Sequence, residues 1–314
     1  MANRPFRSAA LVAGLALAIA CGPAAAQPRT APADLVVFAP HPDDEVIGTG
    51  GVIQRAVASG QRVLVVFVTN GDGYADAASA LTGRPTATLQ AADYVTLAAA
   101  RQREAVAADA ILGLGAANLV FLGYPDGALA GLYADAGVEP VRSPTTGRTA
   151  TYGAVETDFH TLMHGQPAAY TRDAALADVR EILVGAKPAQ VFVTGPADQH
   201  PDHRATYELV REAMASIDFK GALLTFVVHS GAGWPSPVGP TPGSPFASRT
   251  IGGTTYPVGV PWPPPIRIPL TVRESTLKLQ AIDANHSELA PPTGRLFLES
   301  FVKSDEVFWT AGSG

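Results

Sequence analysis

The chain has 314 residues, a formal net charge of −6, 47% hydrophobic and 16% charged residues, and one cysteine. Lys and Arg number 22 against 28 Asp and Glu, which speaks against a basic nucleic-acid binder, and a single Cys excludes a disulfide framework. Low charge with 31 Gly and 27 Pro would suit disorder, but regularly spaced Val/Leu/Ile runs can bury a core, and the length is ordinary for one α/β enzyme domain.

The N-terminus reads as a signal peptide over residues 1–26. Arg4 and Arg7 form a basic start, residues 9–21 are small and apolar, and Ala24, Ala25 and Ala26 offer a cleavage site before Gln27. The apolar run is short for a membrane span, which needs roughly 20 residues. Cleavage leaves a single domain of 288 residues (27–314), moves the net charge to −8 because two Arg and no acid are lost, and removes the only Cys. The expected location is periplasmic or secreted. A lipoprotein anchored at Cys21 is the alternative, though Ala18 stands where such signals usually carry Leu. No other stretch is long and apolar enough to span a membrane.

Short apolar runs then alternate with helical patterns. Strands are predicted at 35–39, 62–69, 118–122, 189–194 and 222–229, and helices at 42–58, 95–114, 174–184, 203–215 and 275–285. This alternation predicts a Rossmann-like α/β fold, with a mostly parallel sheet and helices on both faces. Three segments interrupt the rhythm, at 71–92, 126–171 and 230–265, and are read as long insertions at the ligand edge. The run 297–309 is read as core packing or edge closure. Gly48, Gly50 and Gly51 are expected to serve close helix–sheet packing, because they fall inside the first helix rather than in a phosphate-cradling loop.

Two junctions carry chemistry. Ala-Pro-His-Pro-Asp-Asp-Glu (39–45) follows the first strand, and Gly-Pro-Ala-Asp-Gln-His-Pro-Asp-His (195–203) follows the strand ending near Thr194. Pro at a helix start and acids in its first turn need no special purpose, but a His before each Pro and a second His after the latter Asp do. In a parallel sheet both junctions fall on the edge where ligands bind. Positions three apart in a helical turn share a face, so His41 and Asp44 can point at one centre, with His203 approaching from the second junction. Two imidazoles and a carboxylate suit zinc with one position left open. Asp43 is then placed as general base, His200 to protonate a leaving amine, and Asp202 to hold the His200 ring.

These motifs resemble the PIG-L/LmbE-like deacetylase family. The similarity is carried by FAPHPDDEVIGTGG (38–51), VFVTNGDG (66–73), RQRE (101–104), FLGYPDG (121–127) and HPDH (200–203), in matching order over roughly 35–230. The resemblance implies a Rossmann-like fold, one zinc per chain, and removal of an N-acetyl group from an amino sugar, typically N-acetylglucosamine in a larger conjugate. By the same resemblance His41, Asp44 and His203 match zinc ligands and Asp43 the general base. His200 matches a protonating or oxyanion-stabilising group, Asp202 its partner, and Arg101 a substrate-binding Arg, while Asp126 lines the pocket. Some members carry Tyr two residues before the HPDH motif. Here Asp198 stands there, leaving Tyr124, Tyr133, Tyr152, His164 and His229 as candidate donors, of which His229 at a strand end is preferred as a substrate contact. Two other readings stay open: an amidase for a bulkier N-acyl conjugate, motivated by the insertions, and a non-catalytic carbohydrate-binding envelope protein, motivated by Asp198.

Overall fold

The computed structural model describes Met1 and residues 31–137 and 139–310. The predicted signal peptide lies outside the described residues. The strands are β1 (Leu35–Ala39), β2 (Val63–Thr69), β3 (Leu119–Tyr124), β4 (Gln190–Thr194), β5 (Ala222–Phe226), β6 (Arg249–Ile251), β7 (Thr254–Tyr256), β8 (Ile266–Pro269) and β9 (Asp305–Thr310). The α-helices are α1 (Asp44–Ala58), α2 (Ala75–Thr82), α3 (Ala91–Leu112), α4 (Leu129–Ala134), α5 (Phe159–His164), α6 (Arg172–Ala186), α7 (Pro201–Ser216), α8 (Val272–Asp283), α9 (His286–Leu289) and α10 (Gly294–Glu299). No helix among the described residues is long and apolar enough to cross a membrane.

Seven strands form one sheet in the order β3-β2-β1-β4-β5-β9-β8. The first five are parallel, and β9 and β8 add on antiparallel. Residues alternate between two cores, as a sheet buried on both faces requires. In β1, Leu35, Val37 and Ala39 face one core while Val36 and Phe38 face the other, and β2 repeats the pattern. Helices α1, α3 and α8 pack together on the first face, and α4, α6 and α7 on the second. The strand order reverses between β1 and β4, and such a switch point opens a crevice beyond the strands' carboxyl ends. Both His-Pro-Asp junctions leave the sheet there.

Helix α1 lies close to the sheet because of its glycines. A Cβ at Gly48 would stand 2.3 Å from the Phe226 ring, and one at Gly51 2.3 Å from Leu270. The expected packing role therefore holds, with Gly48, Gly50 and Gly51 inside α1. The predicted boundaries shift by a few residues: the strand at 222–229 ends at Phe226, which frees residues 227–229 as a loop carrying His229. The run 297–309 divides into the end of α10 and strand β9, which is flanked by β5 and β8 rather than closing an edge. The segments at 71–92 and 126–171 hold α2, α4, α5 and the start of α3, and 230–265 holds the β6–β7 hairpin.

Candidate metal and catalytic centre

The loop after β1 is tied down before it turns. Pro40 O accepts from both the backbone amide and the hydroxyl of Thr69, at 3.0 and 2.9 Å. His41 follows, and its amide donates to Asp44 Oδ2 at 3.0 Å. Asp43 sits between them at φ 123°, a conformation that non-glycine residues adopt only when their surroundings enforce it. Its amide donates to Glu45 Oε2 at 2.9 Å, which holds the turn. At the second junction Pro201 opens α7 and His200 caps it.

Three side-chain atoms meet at the crevice floor. His41 Nδ1 is 3.2 Å from Asp44 Oδ2, His203 Nε2 is 3.3 Å from Asp44 Oδ2, and His203 Nε2 is 3.2 Å from His41 Nδ1. A near-equilateral triangle of this size suits a tetrahedral cation, since ligands 2.0–2.1 Å from such a centre stand about 3.3 Å apart. The far side of each ring faces a carboxylate. His41 Nε2 lies 3.2 Å from Asp126 Oδ1 and 3.7 Å from Asp202 Oδ2, and His203 Nδ1 lies 3.2 Å from Asp198 Oδ2. Carboxylates behind imidazoles fix the tautomer that presents a lone pair inward.

Charge balance also favours a cation. Asp43, Asp44, Asp126, Asp198, Asp202 and Glu288 are all buried here, and Arg101 is the permanent cation among them. Burial disfavours charge on His41 and His203, yet carboxylates outweigh it. Asp126, Asp202 and Asp44 lift His41 well above 6.5, and Asp44 and Asp198 lift His203 to about 9. Protons thus occupy positions that a divalent cation would take in exchange. The residues present fit such an ion.

Asp43 lies beside the triangle, its Oδ2 3.4 Å from Arg101 Nη2. Burial raises its pKa well above 3.8, while Arg101 pulls the other way. Arg101 lines the cavity, but its guanidinium is engaged internally. It donates to Gly71 O and Pro42 O at 2.9 and 2.5 Å and pairs with Glu288 at 2.8 Å. These contacts clamp the loop that carries Asp43. Asp126, 5% exposed, accepts from the Gly73 amide and faces His41, so it contacts a proposed ligand as well as the cavity.

His200 differs from expectation in how it is held. The backbone amide of Asp202 donates to His200 Nδ1 at 3.2 Å, so the neutral ring carries its proton on Nε2. The Asp202 carboxylate is not the His200 partner; it accepts from the Gly127 and Leu129 amides at 2.6 and 3.1 Å. Burial, with His41 and His203 nearby, lowers the His200 pKa to about 4. Within the neutral pH range this ring is a hydrogen-bond donor rather than a proton carrier.

The triangle opens into a cavity of about 450 Å³. His229 forms part of its wall, stacked on Phe297 with centroids 5.3 Å apart and planes 12° from parallel. Burial and His203 lower its pKa to about 4. The other candidate donors stand elsewhere. Tyr124 donates to Asp178, Tyr133 to Glu212 and Tyr152 to Asp72, and His164 pairs with Glu181. Residues at the site that sequence reasoning missed include Tyr74, Glu288 and Phe297 in the wall, and Asp198 behind His203. Asp198 carried a signal, standing two residues before the motif. Its carboxylate faces His203 and also accepts from the amides of His200, Val228 and His229. It links the two loops that meet at His203.

Similarities to known proteins agree with this fold. N,N′-diacetylchitobiose deacetylase from Pyrococcus horikoshii matches with a TM-score of 0.52 and 20% identity, covering 90% of this chain and 85% of that one. The A40926 pseudoaglycone deacetylase Dbv21 matches at 0.53 and 18%, covering 88% and 96%. GalB, the 4-carboxy-2-hydroxymuconate hydratase from Pseudomonas putida KT2440, matches at 0.50 and 15%, covering 88% and 95%. One fold thus hosts deacetylases and a hydratase, so activity must be argued from the site. No curated protein matches. The family model described as PIG-L, GlcNAc-PI de-N-acetylase, matches residues 36–214. Because that match spans more than half of the chain and takes in both His-Pro-Asp junctions, the chain belongs to the PIG-L family.

Proposed function

We propose that the chain is an exported, zinc-dependent N-deacetylase that removes the acetyl group from an N-acetylated amino sugar or glycoconjugate. The observation that carries this reading is the triangle of His41 Nδ1, Asp44 Oδ2 and His203 Nε2, with 3.2–3.3 Å edges and Asp43 at its side. Zinc held by these three atoms would lower the pKa of a water to about 7 and polarise an amide carbonyl.

The side chains supply the rest. Asp43 accepts a proton from the attacking water as the new C–O bond forms. The His200 Nε2–H donates to the carbonyl oxygen as charge develops there. The proton held on Asp43 then passes to the amine nitrogen as the C–N bond breaks, releasing the amine and acetic acid, which loses its proton to solvent as acetate. The stacked His229–Phe297 pair gives the cavity an apolar face for a sugar ring, and Tyr74 and Glu288 add polar contacts. Asp126 and Asp202 keep His41 turned so that Nδ1 faces inward.

Acetate release measured over a panel of N-acetylated sugars and glycan oligomers tests the activity. Zinc-loaded protein is expected to turn over acetyl substrates, chelation to abolish the release, and added zinc to restore it. Full activity in metal-free protein would overturn the zinc reading, and preference for larger acyl groups would favour the bulkier-acyl amidase. Export is tested in the same preparation, by N-terminal sequencing of protein from outside the cytoplasm, which should begin near Gln27.

Asp198→Asn is expected to weaken zinc binding by about 10–100-fold, the usual cost of removing a carboxylate behind a ligating imidazole. Competition against a chelator reads this directly. An unchanged zinc affinity would remove Asp198 from the site.

A further inference from the structure

A second cluster of metal-type donors lies outside the cavity, between α5 and α6. His160 and His164 stand four residues apart, so their rings share one face of α5, with centroids 4.4 Å apart. Asp178 and Glu181 stand three apart on α6 and face them. His160 Nδ1 is 2.7 Å from Asp178 Oδ1, and His164 Nε2 is 2.9 Å from Glu181 Oε2. One donor atom from each of His160, His164 and Asp178 falls within 4.8 Å of the others.

The cluster has a back wall and an open mouth. The Asp178 side chain is 1% exposed, and its other oxygen accepts from the buried Tyr124 hydroxyl at 2.7 Å, which fixes the direction of Oδ1. His164 and Glu181 are 42% and 34% exposed. The back wall is therefore a buried carboxylate whose Oδ1 is aimed at His160. Two imidazoles with one or two carboxylates form a donor set for a borderline divalent cation, as two His at this spacing on a helix often do.

We propose that His160, His164, Asp178 and Glu181 form a second divalent-cation site, with Zn2+ as its cation. Tetrahedral ligands stand about 3.3 Å apart, so the His160–Asp178 and His164–Glu181 pairs each open by roughly half an ångström as zinc replaces the proton between them. The consequence is mechanical. α5 belongs to the 126–171 insertion and α6 to the central fold, so the cation ties one to the other.

The test counts zinc per chain at buffered micromolar free zinc. Wild type should hold two, and His164→Ala one, with acetate release retained. His203→Ala should hold one, and His164→Ala/His203→Ala none. Zinc should raise the Tm of His203→Ala but not of the double variant. Glu181→Gln, a change in an exposed pair, should weaken the second site without endangering the fold. The proposal is overturned if His203→Ala binds no zinc, or if its zinc survives His164→Ala and His160→Ala undiminished. A wild type that holds a single zinc, lost in His164→Ala and kept in His203→Ala, would instead sink the catalytic-zinc reading while leaving this site standing.

Discussion

Asp43→Asn is expected to retain zinc and lose catalysis, with kcat/KM falling by about 10²–10⁴, the usual contribution of a positioned general base. Asn is the informative replacement because Asp43 sits at φ 123°, and Asn tolerates positive φ better than other non-glycine residues. The substitution keeps shape and removes the proton acceptor together with the negative charge that faces Arg101. The pH profile adds a second reading. Burial raises the Asp43 pKa, with Arg101 opposing, and the base works only when deprotonated, so wild-type rate should rise as pH increases through that raised pKa. In the Asp43→Asn variant this acid limb should vanish. His200, lowered to about 4, should add no limb near the ordinary histidine range. Steady-state kinetics with zinc content measured on the same samples decides the matter. Loss of zinc along with activity would recast Asp43 as part of the metal site, and retained activity would dismiss it as the base.

The parts of the molecule that sequence discloses are those governed by local pattern. The five parallel strands announce themselves as runs of Val, Leu, Ile and Phe because both faces of the sheet are covered. The two His-Pro-Asp junctions are legible because helix-start geometry fixes which residues share a face, and the strand order brings them together between β1 and β4. Short helices in Ala/Thr/Gly-rich segments, such as α2 and α5, lack a periodic stripe long enough to read. Asp202 shows a subtler limit. Its position suggested a carboxylate holding His200, but in the first turn of α7 the backbone amide takes that contact and the carboxylate swings to residues 127 and 129. Glu288 and Arg101 meet only because α9 returns over the cavity from the C-terminal part of the chain, and no local spacing encodes such a meeting.

The same long reach explains the stability experiment with the largest expected effect. Glu306 on β9 is 1% exposed by side chain and pairs at 2.7 Å with Lys278 of α8, itself fully buried. Glu306 also accepts from the Gly51 and Val52 amides of α1, at 2.8 and 2.9 Å. One carboxylate therefore joins the antiparallel end of the sheet to the helix that begins beside Asp43. Glu306→Ala strands a buried ammonium and removes an acceptor from two amides, and is expected to cost about 3–5 kcal/mol in chemical denaturation. The double substitution Lys278→Met/Glu306→Leu should cost less than the single one, because it leaves no uncompensated charge. If the single variant lost under about 1 kcal/mol, water would have to reach Lys278, contrary to its burial. Because α1 starts at Asp44, the single variant should also weaken zinc retention as denaturant rises, before the α6–α7 face unfolds. Zinc release followed alongside circular dichroism would separate that local loosening from global unfolding.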